Sequence, residues 1–268
     1  MISKICILGQ GYVGKAFRKL VENHYEVVTY DPSVNSKYNK KLIDSCDLGV
    51  ICVPTPPLED GSCDTSVVEE CVKKLNTPII LIKSTVTPGT TDKLAKKYKK
   101  KICFSPEFVG ESKYFHPYWK DMVESPYLIV GGKDDEASKI VAMHEVVMGP
   151  TKTYYRCTNL EAELIKYLEN SFFATKVTFV NEFYDIVKAF GADWYRVREG
   201  WLLDPRINKM HTSVFWNNRS KSAASDTRGF GGKCYPKDVA AIVSAAKKNG
   251  YSPLLLTQVL KTNTKLRK

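Results

Sequence analysis

The fold of this chain is decided by residues 4–31, which read KICILGQGYVGKAFRKLVENHYEVVTYD. The apolar run Lys4–Leu8 predicts a buried strand, and three glycines follow it within the segment Gly9–Gly14. An apolar-periodic run then predicts a helix, and Glu26–Tyr30 predicts a second strand that ends at Asp31. This order of strand, glycine loop, helix, strand and acid is typical of a dinucleotide-binding unit.

Each glycine of the loop has its own task in such a unit. Gly9 allows the tight turn, Gly11 lets a pyrophosphate approach the backbone, and Gly14 lets the helix pack closely on the strand. The pyrophosphate is expected to bind at the helix N-terminus. Asp31 lies 22 residues after Gly9, close to the spacing of about 20 for the acid that binds ribose hydroxyls. Because a carboxylate repels a 2′-phosphate, the sequence predicts NAD rather than NADP.

Further strand-like runs alternate with helical or loop segments as far as residue 155. They are Leu48–Val53, Ile79–Ile82, Ile102–Phe104 and Tyr127–Val130. This alternation predicts an α/β fold whose first domain, residues 1–155, is a Rossmann-type parallel sheet with helices on both faces. Ligands of such sheets bind beyond the carboxyl ends of the strands. Segments rich in hydroxyls, prolines and acids stand at these ends, at 53–57, 83–89 and 105–111, although the same residues are also ordinary turn formers.

A second domain, residues 156–268, is predicted to be helical and built on a long central helix. Thr158 and Glu161 have the spacing of a capping box. The apolar-periodic run that follows extends to about Phe190, and Gly191 provides a stop. A helix of this length is expected to bridge two domains or to form a dimer interface.

A second glycine-rich stretch, GFGGKCYPKD at residues 229–238, precedes another predicted helix. Pro236 suits a first helical position, so Cys234 is expected at or just before a helix N-terminus, where the dipole favours a thiolate. Such a thiol is a candidate covalent nucleophile, and the alternative is a buried structural cysteine. Lys166 and Asn170 share one face of the long helix, and they too are either functional or ordinary surface residues.

Composition argues against several classes of function. No apolar stretch is long enough to span a membrane and the N-terminus lacks the layout of a signal peptide, so a cytoplasmic location is expected. The net charge of +11 suits an anionic ligand, but no nucleic-acid-binding signature accompanies it, and nucleic acid is not expected as a partner. The eight cysteines are scattered without a C-x-x-C pair, which argues against a metal site and against disulfides.

Taken together, these segments resemble the UDP-glucose/GDP-mannose dehydrogenase family, and the likeness covers nearly all of the chain in the same order. The most specific signature is Gly-Phe-Gly-Gly-x-Cys-x-x-Lys-Asp at 229–238. The other matching segments are 9–14, 53–56, 84–89, 105–111, 163–170, 181–182 and 204–207. The last of them is more similar to the UDP-glucose 6-dehydrogenase branch than to the GDP-mannose branch.

The resemblance implies a four-electron oxidation of a nucleotide sugar's primary alcohol to a carboxylate, with two NAD per sugar and UDP-glucose as the expected substrate. It implies that Cys234 attacks the intermediate aldehyde and that Lys166 and Asn170 stabilise the oxyanion. It further implies that Asp238 orients and activates the site. The resemblance also implies that Thr85 and Glu107 hold or activate water.

The resemblance also implies two sets of binding residues, and the long helix predicts a homodimer or higher homo-oligomer. Those that contact NAD are Gly9, Gly11, Tyr12, Val13, Gly14, Asp31, Pro54, Thr55, Ser84, Thr85, Glu111 and Lys237. Those that contact the sugar nucleotide are Phe108, Glu111, Lys166, Asn170, Arg206, Phe230 and Gly231, with Arg206 reaching the substrate of a neighbouring subunit.

The chain departs from the family in three places. Family members continue into a second Rossmann-like domain that grips the nucleotide of the substrate, and this chain ends where that domain is expected to begin. Gly110 stands where the family commonly has Arg, and the segment between Arg206 and Gly229 is longer than usual.

Other interpretations of the chain stay open. It could act on GDP-mannose or a UDP-N-acetylhexosamine, or be a catalytically silent NAD-binding partner of a full-length relative. Retention of Cys234, Lys166, Asn170 and Asp238 together favours an enzyme over a silent partner. A β-hydroxyacid dehydrogenase shares several features, but it needs no cysteine nucleophile and releases one NADH.

Overall fold

The structure is a computed structural model of the chain, and it describes residues 2–34, 38–109, 121–215 and 228–268. These residues form two compact units, Met1–Lys166 and Tyr167–Lys268. This division follows how densely the residues pack within each unit. It does not test the sequence-based division into domains 1–155 and 156–268, which stays a prediction.

Seven strands of the described residues form one sheet in the first unit. They are β1 Lys4–Leu8, β2 Glu26–Tyr30, β3 Leu48–Ile51, β4 Ile79–Ile82, β5 Ile102–Phe104, β6 Tyr127–Gly131 and β7 Thr153–Cys157. Their order across the sheet is β2-β1-β3-β4-β5-β6-β7, and all neighbours are parallel except β5 and β6. The predicted α/β Rossmann-type architecture is confirmed. The strand order reverses between β1 and β3, which is where such sheets bind their ligands.

Helices cover both faces of this sheet, as the alternation predicts. They are α1 Tyr12–Val21, α2 Lys40–Asp44, α3 Ser66–Lys74, α4 Thr90–Tyr98 and α5 Asp134–Met148, with a short 3-10 helix at Met122–Glu124. Successive strand residues point to opposite faces, so Ile7 packs in one core with α1 and α5, whereas Leu8 packs in the other with α3 and α4. All residues of β3 and β4 are buried because both faces of the sheet are covered.

The long helix α6 spans Asn159–Ala189, 31 residues. The side chain of Glu161 accepts the N–H of Thr158 at 2.7 Å, and the Thr158 hydroxyl accepts the N–H of Glu161 at 3.2 Å. These reciprocal bonds confirm the predicted capping box. Gly191 follows the helix with φ 70°, the left-handed conformation that commonly ends helices at glycine.

Three further helices of the described residues lie in the second unit. They are α7 Trp194–Trp201, α8 Tyr235–Lys248 and α9 Leu254–Leu266. One small core joins Val177 of α6 to Phe230, Val239 of α8 and Val259 of α9. Apolar residues spaced along α6 therefore bury against α8 and α9.

Neither a membrane-spanning helix nor a metal-binding cluster is seen in the described part of the chain. Among residues 2–34, 38–109, 121–215 and 228–268, no helix has the length and apolar character to cross a bilayer. The same residues contain no group of three or more His, Cys, Asp or Glu side chains arranged to hold a metal ion.

Candidate functional site

The glycine loop after β1 is packed against the backbone around it. Gly9 has φ 93°, which favours glycine, and a Cβ there would lie 2.4 Å from the carbonyl oxygen of Cys52. A Cβ on Gly14 would lie 2.0 Å from the carbonyl oxygen of Gly9, whereas a Cβ on Gly11 would meet nothing within 4 Å. The outer glycines therefore allow close packing, and the middle one leaves the backbone open to a ligand.

The start of α1 and Asp31 complete the described part of the predicted cofactor site. Helix α1 begins at Tyr12 without a side-chain cap, and a helix N-terminus suits a pyrophosphate. Asp31 accepts the N–H groups of Gln10 and Ser33 at 2.7 and 2.9 Å, and bonds from Ser33 and Gln10 lower its pKa. Tyr12 is exposed, and Val13 packs on the core. An open glycine backbone, a helix start and a carboxylate together fit the pyrophosphate and ribose of NAD.

The loops after β3 and β4 carry further residues that are predicted to contact NAD. The Thr55 hydroxyl donates to the carbonyl oxygen of Thr85 at 2.8 Å, and the Ser84 hydroxyl donates to that of Val53 at 2.7 Å. These two bonds tie the loops together at the carboxyl edge of the sheet. Thr55 and Ser84 are buried, Thr85 is half-buried and Pro54 is exposed. Their contacts with NAD stay predictions.

Glu107 is held on three sides within the first unit. Its Oε1 accepts the N–H groups of Phe108 and Val109, both at 2.8 Å, and its Oε2 lies 3.4 Å from Nζ of Lys83. The carbonyl oxygen of Glu107 accepts a hydrogen bond from Nζ of Lys166 at 2.5 Å. The same ammonium lies 4.8 Å from the centre of the Phe108 ring. The structure thus brings together Glu107, Phe108 and Lys166, and it adds Lys83.

In the second unit, Asp238 binds two of the predicted site residues, Asn170 and Lys237. Its carboxylate is buried and accepts hydrogen bonds from the side-chain amide of Asn170 at 2.5 Å and from Nζ of Lys237 at 2.6 Å. Its N–H donates to the carbonyl oxygen of Cys234 at 2.8 Å, which forms the first turn of α8. Cys234 is the N-cap of this helix, so its predicted position at a helix N-terminus is confirmed.

Cys234 differs from the other seven cysteines, all of which lie in the described residues. It is exposed, whereas the others are buried or half-buried. Burial raises the pKa of Cys52 and of Cys103 to about 12, and that of Cys71 to about 11. Such groups stay thiols at neutral pH. The alternative of a buried structural cysteine therefore does not hold for Cys234.

The glycine-rich segment before α8 is held by a side chain that the sequence analysis missed. The carbonyl oxygen of the Asn263 amide accepts the N–H of Phe230 at 2.7 Å, and its NH2 donates to the carbonyl oxygen of Phe230 at 2.9 Å. A Cβ on Gly229 would lie 2.4 Å from this amide oxygen, and one on Gly231 would lie 2.7 Å from the Arg267 guanidinium. The Phe230 side chain is fully buried, and the substrate contacts of Phe230 and Gly231 stay predictions.

The described residues include no contact that supports the predicted roles of Arg206 and Glu111. The side chain of Arg206 is 86% exposed and pairs with Asp204 at 2.6 Å, so its contact with a neighbouring subunit's substrate stays a prediction. Glu111 lies outside the described residues, as does Gly110.

A second buried carboxyl, Glu163 of α6, appeared in the sequence analysis only within a matching segment. It accepts the N–H groups of Gly89 and Thr91 at 2.5 and 2.9 Å and the Thr91 hydroxyl at 2.6 Å. Burial raises its pKa to about 7. Its partners come from more than 70 residues away, so no local pattern identifies it. The sequence analysis did not identify Lys83 either, because a single lysine after a strand is usually exposed to solvent.

Comparisons with known proteins show which family the chain is similar to. The UDP-glucose/GDP-mannose dehydrogenase family is represented by two models that match the chain, its NAD binding domain at residues 33–147 and its central domain at residues 160–265. The UDP-glucose 6-dehydrogenase TuaD of Bacillus subtilis is 28% identical over 316 residues, which cover 99% of this chain and 64% of TuaD. The UDP-glucose 6-dehydrogenase of Rickettsia bellii is 31% identical over 239 residues, covering 85% of this chain and 51% of that protein.

A solved structure shows the same fold. The UDP-glucose dehydrogenase of the hyperthermophilic archaeon Pyrobaculum islandicum aligns with a TM-score of 0.84 and 25% identity, over 99% of this chain and 68% of that one. This chain therefore spans about two thirds of that protein, and between half and two thirds of the two bacterial relatives. The family models cover most of the sequence, and the chain belongs to the UDP-glucose/GDP-mannose dehydrogenase family.

Proposed function

We propose that this chain oxidises the primary alcohol of a nucleotide sugar to a carboxylate, with UDP-glucose as the substrate and NAD as the oxidant. The observation that carries the proposal is the exposed thiol of Cys234 at the start of α8. It stands one helical turn before Asp238, a buried carboxylate that binds Asn170 and Lys237. The names of the relatives support UDP-glucose over the other substrates of the family.

The overall reaction balances as one alcohol, two NAD⁺ and one water giving one carboxylate, two NADH and three protons. When bound, NAD accepts one hydride from C6 of the sugar in each of the two oxidations. A nucleophile is needed because an aldehyde must gain a heteroatom on its carbon before that carbon can give up a second hydride. Cys234 supplies this atom, since its sulfur bonds to the aldehyde carbon and remains bonded as the thiohemiacetal becomes a thioester.

The remaining side chains act on charge and on water in this proposal. Lys166 supplies a positive charge and Asn170 an N–H for the oxygen of the sugar carbon as negative charge develops on it. Asp238 keeps the Asn170 amide and the Lys237 ammonium oriented through the two bonds that it accepts. Thr85 and Glu107 hold the water that cleaves the thioester, with Glu107 as the proton acceptor.

The apolar face of α6 supports a homodimer as part of the proposal. On this helix Leu168, Phe172, Phe179 and Phe183 recur at helical spacing, and they are 71%, 61%, 54% and 41% exposed. A helix face this apolar is expected to be covered, and a second copy of the same helix offers a matching surface. Sedimentation of the purified chain at twice its mass is the expected result. A single-chain mass at micromolar concentration would contradict the dimer.

The experiment that tests the function counts NADH per sugar consumed by the purified chain with NAD. The panel contains UDP-glucose, GDP-mannose and a UDP-N-acetylhexosamine. Two NADH per UDP-glucose is the expected outcome. Two NADH from another member of the panel would keep the chemistry and change the substrate, and one NADH per substrate would support a simple alcohol dehydrogenase. No turnover with NAD binding intact would support a catalytically silent partner.

The same assay tests the nucleophile through Cys234→Ser. The serine hydroxyl is far less nucleophilic than a thiolate, so carboxylate formation is expected to fall by about 100-fold or more. NAD affinity is expected to stay within about twofold, since the cofactor residues of the first unit are untouched. Normal carboxylate production by this variant would rule out the thioester route.

A further inference from the structure

Lys83 has a position unlike that of the other lysines for which the structure gives ion pairs. It follows β4 directly, and its side chain is only 2% exposed. Its Nζ lies 3.4 Å from Oε2 of Glu107 and 3.4 Å from the Ser105 hydroxyl. Most of the other ion-pair lysines have side chains that are more than half exposed. A lysine is rarely buried so fully without a specific partner.

The surroundings leave Glu107 as the anion that balances this ammonium. The ring of Phe17 lies 5.6 Å from Nζ, and burial together with the charge of Lys83 lowers the pKa of His144 to about 3, so that imidazole is neutral. Burial raises the pKa of Cys52 to about 12, so its sulfur is a neutral thiol. Among these neighbours Glu107 is therefore the one that carries a negative charge.

The Glu107 carboxylate is consequently fixed at both oxygens. Oε2 faces Lys83, and Oε1 accepts the N–H groups of Phe108 and Val109 at 2.8 Å each. The Glu107 side chain keeps 12% exposure, so water can still reach it. A carboxylate that is fixed in this way but still accessible can take a proton from water in one defined direction.

We propose that Lys83 is a positioning residue for Glu107. Its buried ammonium holds one carboxylate oxygen, so the other stays on the two backbone N–H groups and the carboxylate keeps the orientation needed for thioester cleavage. This inference rests on the proposed function only for the step in which it acts. In that step the oxygen of water bonds to the acyl carbon and the carbon–sulfur bond breaks. One proton of the water goes to the Cys234 sulfur, and the other goes to Glu107 and then to solvent, which leaves the carboxylate product.

Lys83→Met tests the positioning itself without any substrate. Methionine fills a similar apolar volume, and replacing a buried cation by an apolar side chain is often tolerated. Without the ammonium the Glu107 carboxylate can rotate toward solvent and release Oε1 from its backbone donors. Amide hydrogen exchange at Phe108 and Val109 is therefore expected to accelerate about tenfold or more. Unchanged exchange at both amides would overturn the proposal.

Lys101→Met is the matched control. Lys101 pairs with the nearly buried carboxylate of Glu136 at 3.1 Å in the same unit, so this change also removes the cation partner of a shielded acid. It is expected to leave exchange at Phe108 and Val109 unchanged. Acceleration by both variants would mean a general loosening of the unit and would also overturn the proposal.

A second measurement identifies the step. After rapid mixing of Lys83→Met with NAD and UDP-glucose and an acid quench, intact mass should show acyl adduct accumulating on Cys234, with hydrolysis slowed about tenfold or more relative to wild type. The Lys101→Met chain should show no such accumulation. In a Glu107→Gln background, adding Lys83→Met should slow hydrolysis no further, because the two residues act as one unit.

The outcomes separate the two proposals. Hydrolysis at the wild-type rate in Lys83→Met would overturn the role of Lys83, and an additional slowing in the Glu107→Gln background would show that Lys83 does not act through Glu107. If the wild-type chain turns over no nucleotide sugar, the proposed function fails, and the exchange experiment still decides whether Lys83 positions Glu107.

Discussion

The molecule contains two glycine-rich loops that lead into helices, and they are held in different ways. The first, residues 9–14 before α1, is held by backbone, since Gly9 packs on the carbonyl of Cys52 and Gly14 packs on the carbonyl of Gly9. The second, residues 229–232 before α8, is held by side chains. Asn263 bonds both backbone groups of Phe230.

The difference follows from what surrounds each loop. The first emerges from a parallel sheet whose neighbouring strands bring rigid carbonyl groups close to it. The second lies among helices, whose backbone groups are bonded internally, so side-chain amides must bond its N–H and C=O groups. Substitution of a glycine is therefore expected to destabilise the loop that is held by backbone. The loop that is held by side chains is expected to be destabilised by substitutions far away in the sequence.

A third helix start shows an intermediate solution. Helix α4 begins after Gly89, which has φ 89°, and its first N–H groups are bonded by the carboxyl of Glu163. Here an ionisable side chain replaces the neutral amide of the second loop. We therefore expect the stability of the chain to depend on a different change at each helix start. These changes are an added Cβ before α1, loss of an amide before α8, and pH before α4.

The largest effect is expected for Gly14→Ala. The new Cβ would lie 2.0 Å from the Gly9 carbonyl oxygen, which is a backbone atom and not the end of a flexible side chain, so the loop itself would have to shift. Unfolding in urea should show a loss of about 4 kcal/mol or more, or no folded protein at all.

Gly11→Ala is the matched control for this prediction. Its Cβ would meet nothing within 4 Å, so the free energy of unfolding should change by less than about 1 kcal/mol, while NAD affinity falls because the methyl group occupies the ligand's approach. Equal destabilisation by the two variants would break the comparison, since it would mean that packing at Gly14 is not what holds the loop.

An intermediate effect is expected for Asn263→Leu. Leucine has the same branched arrangement of side-chain heavy atoms but leaves the N–H and C=O of Phe230 buried without partners, at about 1–3 kcal/mol for each unpaired group. The free energy of unfolding should fall by about 2–6 kcal/mol, the sum for the two groups. Asn249→Ala serves as the control, because the side-chain amide of Asn249 donates to the carbonyl of Ala245 at the exposed end of α8, away from the second loop. A loss no larger in Asn263→Leu than in the control would show that the second loop is not held by this amide.

The smallest effect is a pH dependence at Glu163. Burial raises the pKa of Glu163 from 4.5 to about 7, so the folded chain retains a proton that the unfolded chain has already lost. The wild-type chain should therefore lose stability as pH rises from 4.5 toward 7, by about 1–3 kcal/mol. Glu163→Gln cannot ionise, so the difference in unfolding free energy between the variant and the wild type should shift in favour of the variant across this window.

Glu161→Gln provides a control of opposite sign for the pH measurement. Hydrogen bonds from Thr158 lower the pKa of Glu161, so its contribution is present at neutral pH and is lost as the solution becomes acidic. A difference between Glu163→Gln and wild type that does not vary from pH 4.5 to 7 would contradict the raised pKa.

Local patterns predicted much of the fold and part of the site. The period of the apolar residues predicted the sheet of the first unit and the long helix, and the capping box marked the start of that helix at Thr158. They missed β7, whose five residues are all exposed or half-buried and so form no buried apolar run. They also missed the antiparallel pairing of β5 with β6. The direction of β6 depends on the path that the chain takes between the two strands, and the apolar pattern of a strand does not carry that information.

By itself the sequence determined the elements whose cause is local: the glycines of the cofactor loop, the caps of α6 and the position of Cys234 before a helix. Only the tertiary structure decided which charges are buried and what they contact. Lys83 meets Glu107 from 24 residues away, and Asn263 meets Phe230 from 33 residues away. The physical reason is that the state of a buried polar group is set by its partners, and the chain brings these partners together only by folding.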